Sequence, residues 1–367
     1  MGRTKQTMNN SPRRIIYLDL MRALAVLMMV EGHTTDTFLA DQFRNPDSWL
    51  YQLWLIKRGI TAPIFMFTSG VVFTYLLKLQ NKPFWENPRV YKGFRRFITL
   101  VVIGYMLRFP THSFVDFQYV SLKQWYIFFA SDALHLIGFG LLFILILEYF
   151  SEILKVNSYI MFLSAALFFF IIYPYTEKIQ WTEIVPVPLA AYFYHKTGSL
   201  FPFFPWAGYV ISGALLGSYL AKNPNVFTSP RFSKSLLIIG VVLLIAASIL
   251  GNINLLNDQQ KNAYYFISMR LGSVILLNSA MSYIALRLDT IPDIIKWVGR
   301  HTLVVYAVHV IILYGSAWVP GLNAIFAKSM NLYLSVCCAI VMIVAMIIMV
   351  WGIEKYKLTF KKEVAGS

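Results

Sequence analysis

Between residues 18 and 39 the chain reads LDLMRALAVLMMVEGHTTDTFL, an apolar run that carries Asp19, Arg22, Glu31, His33 and Asp36. His33 and Asp36 are three apart, so on a continuous helix they share a face. A carboxylate holding one ring nitrogen leaves the other as a general base near neutral pH, fit to take a proton from an attacking hydroxyl or amine. Glu31 stands two residues from His33 and points elsewhere. Arg22 precedes His33 by eleven residues, about 16 Å along a helix and nearly on the same face after three turns. Asp19 and Arg22 are also three apart; they either close a structural ion pair or meet a ligand directly. Taken alone, His33 also fits a wet interfacial histidine with no role.

More such residues lie further on. Asp132 and His135 form a second pair three apart, at the start of another apolar run. Arg270 and His309 fall inside apolar runs, where an ionisable residue is a functional candidate by default, although a neutral imidazole satisfied by a helix neighbour costs little. Trp206, Tyr306 and Arg270 are candidate donors to a developing oxyanion; Trp206 equally fits an interfacial anchor. His112, Asp116, Glu183 and His195 stand in connections between apolar runs. There is no P-loop, no Gly-x-Ser-x-Gly elbow and no Cys/His spacing for zinc, and no metal is expected. Cys337 and Cys338 are adjacent in an apolar run and offer no disulfide framework.

The elements that must position these groups are membrane helices. Of 367 residues, 58% are hydrophobic and 13% charged, where a soluble domain has about one quarter charged. About ten runs reach or approach the 20 residues needed to span a bilayer: 15–37, 50–77, 97–110, 125–148, 157–175, 204–221, 236–251, 265–287, 302–318 and 332–353. The third is short and can start earlier. No cleavable signal peptide is expected, because no small-x-small site follows the first run. The net charge of +15 comes from basic residues between the runs, so it reads as a topology signal and not as a nucleic-acid surface. With both ends cytoplasmic, Arg3, Lys5, Arg13, Arg14 and the C-terminal Lys355, Lys357, Lys361 and Lys362 share one side. Lys78–Arg96, Lys155, Lys222–Lys234 and Arg287–Arg300 join them, about 21 of the 32 basic residues against nine outside. The expected fold is all-α, a single polytopic bundle over 1–367 with about ten transmembrane helices and both termini cytoplasmic.

An arginine, ten residues, then a histidine on the first membrane helix resembles the signature of the acyltransferase-3 group, and His33 is assigned on that pattern. DLMRALAVLMMVEGH (19–33) is also similar to the Asp-x-x-Arg-Gly-x-Ala start of bacterial proteins related to heparan-α-glucosaminide N-acetyltransferase, with Ala23 where glycine is common. TAPIFMFTSGVVF (61–73), SDALHLIGFGLLF (131–143) and SLFPFFPWAGYVISGALLG (199–217) resemble later helices of that family. WVGRHTLVVYAVHVII (297–312) resembles its Gly-x-x-Ser-Leu-x-x-Tyr-x-x-His element, with Thr302 for serine.

The resemblance implies a multi-pass bacterial inner-membrane acyltransferase that moves an acyl group, acetyl above all, from cytoplasmic acetyl-CoA to an extracytoplasmic glycan or lipid head group. Lys92, Arg95, Arg96 and Arg300 would then hold the CoA phosphates. The pantetheine arm would thread a channel beside the first helix, with Asp19 and Arg22 at its inner mouth and His33 and Asp36 at its outer reaction point. Membrane lipids, acyl-CoA and the acceptor are the expected partners, a homodimer is compatible, and nucleic acid is not expected. Two other readings stand beside it: a transporter using Arg22, Arg270 and His309, for which the halves show no internal repeat, and a non-catalytic protein that binds acyl-CoA or lipid.

Overall fold

The computed structural model describes residues 15–113 and 116–366. Arg3, Lys5, Arg13 and Arg14 lie outside the described residues, as do the side chains of Lys361 and Lys362. The described chain is helical, with two isolated β-bridges and no sheet. The main helices are α1 (Ile16–Phe38), α2 (Trp49–Lys78), α3 (Pro88–Leu107), α4 (Leu122–Phe129), α5 (Ala133–Ile153), α6 (Ser158–Thr176), α7 (Phe203–Lys222), α8 (Pro230–Leu250), α9 (Asp258–Ala285), α10 (Asp293–Arg300), α11 (Thr302–Tyr314) and α12 (Leu332–Gly366). Six of them, α2, α5, α6, α8, α9 and α12, are long and apolar enough to cross a membrane. The pair α10 and α11, bent by 72°, makes a seventh if it counts as one broken span. Helix α1 falls below that standard of hydropathy because of its five ionisable residues, and α3 because of Arg89, Lys92, Arg95 and Arg96.

Helix α1 is the hub. It packs against α2, α9, α10, α11 and α12, and both apolar and polar side chains of it, Asp19 and Thr34 among them, are buried. Helices α2 and α7 touch backbone to backbone. A Cβ on Gly70 would fall on the Val210 carbonyl oxygen, one on Gly213 would stand 2.0 Å from the Phe67 oxygen, and one on Gly217 would stand 2.4 Å from the Val71 oxygen. Gly213 and Gly217 are four apart, the spacing by which small residues let membrane helices approach.

Three expected boundaries shift, each for a local reason. The third helix begins at Pro88, because Asn87 caps it and accepts from the Arg89 amide at 2.9 Å. The run expected at 125–148 is broken at 130–132. There Asp132 caps α5 by accepting from the Leu134 and His135 amides, and Ser131 bonds across to Ser199 and Phe201. The run expected at 302–318 stops at Tyr314, where Gly315 takes φ +80°, and is preceded by the bent α10. The bend is fastened to α12: His301 Nε2 and Glu354 Oε1 are 2.6 Å apart, and Lys357 joins them.

The loop from 177 to 202 is folded onto the bundle. The Ser131 amide donates to Ser199 Oγ at 2.9 Å, its hydroxyl to the Phe201 carbonyl at 2.8 Å, and the Tyr105 and Tyr192 hydroxyls meet at 2.7 Å. Burial, and then the hydrogen bond with Tyr105, raise the Tyr192 phenol above its ordinary pKa, so it stays protonated.

The α2–α7 contact sets a test. Gly213→Ala puts a methyl against backbone, which no side-chain rotation relieves, and should destabilise the protein by about 1–3 kcal/mol. Gly59→Ala, where a Cβ meets nothing within 4 Å, should be neutral or stabilising by up to about 1 kcal/mol. Thermal unfolding of the two variants in detergent separates them; equal midpoints would refute the close packing.

Candidate active site

Helices α1, α3 and α11 each reach two cavities, one near either end. At the Arg22 end, a cavity of about 470 Å3 is lined by Arg22, Arg89, Lys92, Arg95, Arg96 and Thr302, with residues of α2, Thr68 and Ser69 among them, and Leu141 of α5 completing it. At the His33 end, a cavity of about 480 Å3 is lined by His33, Arg108, Gln124, Asp132, Tyr306 and Tyr314, with Leu200 of the long loop at its edge. The two share no lining residue. Between them stand the buried Val26 and Val30 of α1, Leu100 of α3, Ile137 of α5 and Val305 of α11. Beside the first helix, where a continuous passage is expected, the described residues line two chambers with these buried apolar residues between their linings. Their separation follows from the helices: Arg22 to His33 is about 16 Å, as is Arg96 to Leu107.

The basic cavity gathers three of the four residues expected to hold phosphate. Lys92, Arg95 and Arg96 lie three and four apart on α3, hence on one face, and Arg89 extends that face by one turn. Arg300 is not with them. It ends α10, is exposed, and lines neither cavity, because the 72° bend carries α10 away from the axis of α11. Asp19 is buried beside α10, where a Cβ on Gly299 would stand 3.1 Å from the Asp19 carbonyl oxygen.

In the second cavity the partner of His33 is His309, not Asp36. His33 Nδ1 and His309 Nε2 are 3.1 Å apart, and His309 Nδ1 is 2.7 Å from the Val305 carbonyl. A carbonyl only accepts, so His309 Nδ1 carries a proton and donates it there. With both rings neutral, His309 Nε2 is then a lone pair, His33 Nδ1 is the donor to it, and His33 Nε2 is left unprotonated on a partly exposed ring that faces the cavity. The expected Asp36–His33 contact is corrected. Asp36 Oδ1 takes Arg44 Nη1 at 2.9 Å and Oδ2 takes Arg58 Nη2 at 2.8 Å. Two guanidinium groups bind a carboxylate more strongly than a neutral imidazole does, and they pin the end of α1. Glu31 pairs with Lys57.

Asp132 reaches the cavity from the tip of α5. Its Oδ1 is fixed by the Leu134 and His135 amides and by His135 Nδ1 at 2.9 Å, while Oδ2 faces Arg108 at 3.7 Å. His135 is buried, and it fits only because residue 104 is glycine: a Cβ there would stand 2.6 Å from the ring. Tyr306, buried on α11, lines the same cavity.

Trp206 and Arg270, the other expected oxyanion donors, line neither chamber. They form a separate cluster, with the Arg270 guanidinium 5.3 Å from the Trp206 ring and 5.6 Å from that of Phe266. His195 is taken by Glu177 at 2.8 Å. Residues that the sequence reading did not single out are Arg108, Gln124 and Tyr314 in the His33 chamber and Arg89 in the basic one. Arg89 alone had a visible signal, as a basic residue three before Lys92.

The profile of the family described as heparan-alpha-glucosaminide N-acetyltransferase, catalytic, matches residues 14–255, about two thirds of the chain. The match holds α1 to α8, with Arg22, His33, both halves of the Asp132–His135 pair and the α3 basic face; His309 and Tyr306 lie beyond it. No curated protein matches the chain.

The geometry at α5 gives a test independent of activity. Asp132→Ala removes a cap and leaves His135 without its partner, and should cost about 1–2 kcal/mol; Asp132→Asn keeps an acceptor for the amides and should cost less. Chemical or thermal unfolding of the purified variants checks the order, and an Asn variant as unstable as the Ala variant would refute the capping role.

Proposed function

With the chain a member of the heparan-alpha-glucosaminide N-acetyltransferase catalytic family, and so a multi-pass membrane acetyltransferase, we propose that it carries acetyl across the bilayer from acetyl-CoA bound at the Arg22 chamber to an acceptor in the His33 chamber. The observation that carries this reading is that one helix presents a cation to a basic chamber at one end and an imidazole to a second chamber at the other. Five cations at one cavity suit the phosphates of a CoA nucleotide, and the pantetheine arm is long enough in kind to bridge the apolar layer toward His33. On the positive-inside pattern the chain crosses ten times with both ends cytoplasmic. The basic chamber then faces the cytoplasm, as a bacterial inner membrane requires for a CoA donor.

At the far chamber His33 Nε2 takes the proton of an acceptor hydroxyl or amine as its oxygen or nitrogen attacks the thioester carbonyl. Collapse of the tetrahedral intermediate breaks the C–S bond, and the leaving thiolate takes the proton back from the imidazolium. His309 stabilises that imidazolium by accepting from Nδ1. Arg108 and Tyr306 are the donors nearest in kind to an oxyanion hole. The same Nε2 lone pair serves an acetyl-histidine relay. Asp132 and Gln124 supply acceptors for hydroxyl groups, which suits a glycan or a lipid head group. The transport reading draws no support from Arg270, which lines neither chamber.

Purified protein should release CoA thiol from acetyl-CoA slowly with water as acceptor. His33→Ala should lower that rate by about 10²-fold or more, with acetyl-CoA binding kept. Arg95→Glu with Arg96→Glu should raise KM for acetyl-CoA by at least about tenfold. Wild-type turnover in the His33 variant would sink the assignment of the base; an unchanged KM in the double variant would sink that of the donor chamber.

A further inference from the structure

A further cavity lies apart from both chambers. It is a groove of about 900 Å3 walled by α6, α7, α8 and α9, and it is deep enough for Phe67 of α2 to form part of its lining. Helix α8 packs chiefly on α9 and α6 chiefly on α7, so the groove is the seam between the two pairs. Its lining is overwhelmingly aliphatic and aromatic, and along α8 it runs from Phe232 to Leu250, about 27 Å at about 1.5 Å per residue. That is close to the roughly 30 Å of hydrocarbon in a bilayer. Three of the four helices that wall it, α6, α8 and α9, are long and apolar enough to cross a membrane, so what enters from the side is lipid.

The two ends of the groove differ. At the Leu250 end it is fastened shut: the Tyr264 hydroxyl donates to the Ile171 carbonyl at 2.9 Å, Gln260 Nε2 to the Tyr175 hydroxyl at 2.9 Å, and Gln259 Nε2 to the Pro174 carbonyl at 3.4 Å. At the other end the lining includes the phenols of Tyr159 and Tyr219. Around them stand four exposed cations. Lys155 precedes α6, Lys222 ends α7 one turn past Tyr219, and Arg231 and Lys234 open α8. None of the four is in an ion pair among the described residues. The sequence has no Asp or Glu from 153 to 176 or from 184 to 257. The mouth therefore carries an excess of positive charge above an apolar trough.

We propose that this groove is a binding site for an anionic phospholipid, with one hydrocarbon chain laid along the seam and the phosphate held at the mouth by Lys222 and Arg231, with Tyr159 and Tyr219 donating. A zwitterionic lipid fits the trough equally well and gains nothing from the mouth, because its own cation would meet four others.

The site can be tested without any reference to acetyl transfer. The full chain, stripped of lipid in detergent, is offered dioleoyl phosphatidylglycerol or dioleoyl phosphatidylcholine at equal mole fraction, and bound lipid is counted by native mass spectrometry. The wild type should retain phosphatidylglycerol about tenfold over phosphatidylcholine. Lys222→Glu with Arg231→Glu, both exposed and in no ion pair among the described residues, should bring the two lipids level. Leu163→Trp and Leu215→Trp, which fill the trough, should lower retention of both. No preference in the wild type, a preference that survives charge reversal, or full retention in the filled variants would each overturn the site. Because thiol release from acetyl-CoA is not the readout, a failure here is distinct from a failure of the His33 assignment.

Discussion

An ionised side chain at the centre of a bilayer costs about 2.5–3.5 kcal/mol on insertion scales, and the first helix of this protein carries several ionisable groups along its length. That constraint explains the architecture. A helix so loaded cannot face lipid, so α1 is enclosed by α2, α9, α10, α11 and α12. Each ionisable group whose contacts are described is answered locally: Glu31 by Lys57, Asp36 by Arg44 and Arg58, His33 by His309. Arg22 opens into a chamber shared with Arg89, Lys92, Arg95 and Arg96, where the summed positive potential favours an anion. The candidate spans least buried in the bundle, α8 and α12, are also the two most apolar.

Enclosing α1 requires the surrounding helices to come close, and glycine makes that possible. Gly70, Gly213 and Gly217 let α2 and α7 touch at the backbone, and Gly104 leaves a hole that the His135 ring fills. The second case links packing to the site. His135 holds Asp132 Oδ1 while the helix amides hold it too, so Oδ2 is the oxygen left toward Arg108 and the chamber. A residue that reads as fold support thereby decides which carboxylate oxygen an acceptor would meet.

Features that live on one helix were legible in the sequence. Arg22 and His33, and Lys92 with Arg95 and Arg96, keep the relation their spacing gives, because a helix fixes it. Features that depend on how helices meet were not. The His33–His309 contact joins residues 276 apart, and nothing in either local sequence names the other. Spacing favoured Asp36 for His33, but Arg44 beyond the helix end and Arg58 on α2 compete for the same carboxylate, and charge prevails over a neutral ring. The break before α5 was hidden because hydropathy runs on through residues 125–148, while the Asp132 cap that makes it is one polar residue in an apolar run. Arg300 reads in sequence as equivalent to Arg95, but the bend at His301 turns its helix aside.

Helix α11 shows how the two chambers depend on each other. It has 13 residues, about 20 Å, too short to cross hydrocarbon unaided. It spans the gap between the chambers and little more, presenting Thr302 and Leu303 to one and Tyr306, Val310 and Tyr314 to the other. Its start is held by His301 against Glu354 and Lys357 of α12, and its end by the Gly315 turn, whose bridge to Pro320 closes the chain back on itself. Because His309 sits in the middle of this strut and donates to Val305 on the same helix, the tautomer of His33 is set by α11, while its position is set by α1. A proton-accepting nitrogen facing the second chamber is therefore a product of two helices meeting in one register. A shift of α11 by one residue would turn His309 about 100° around the helix axis and leave the His33 ring without the partner that fixes its base nitrogen.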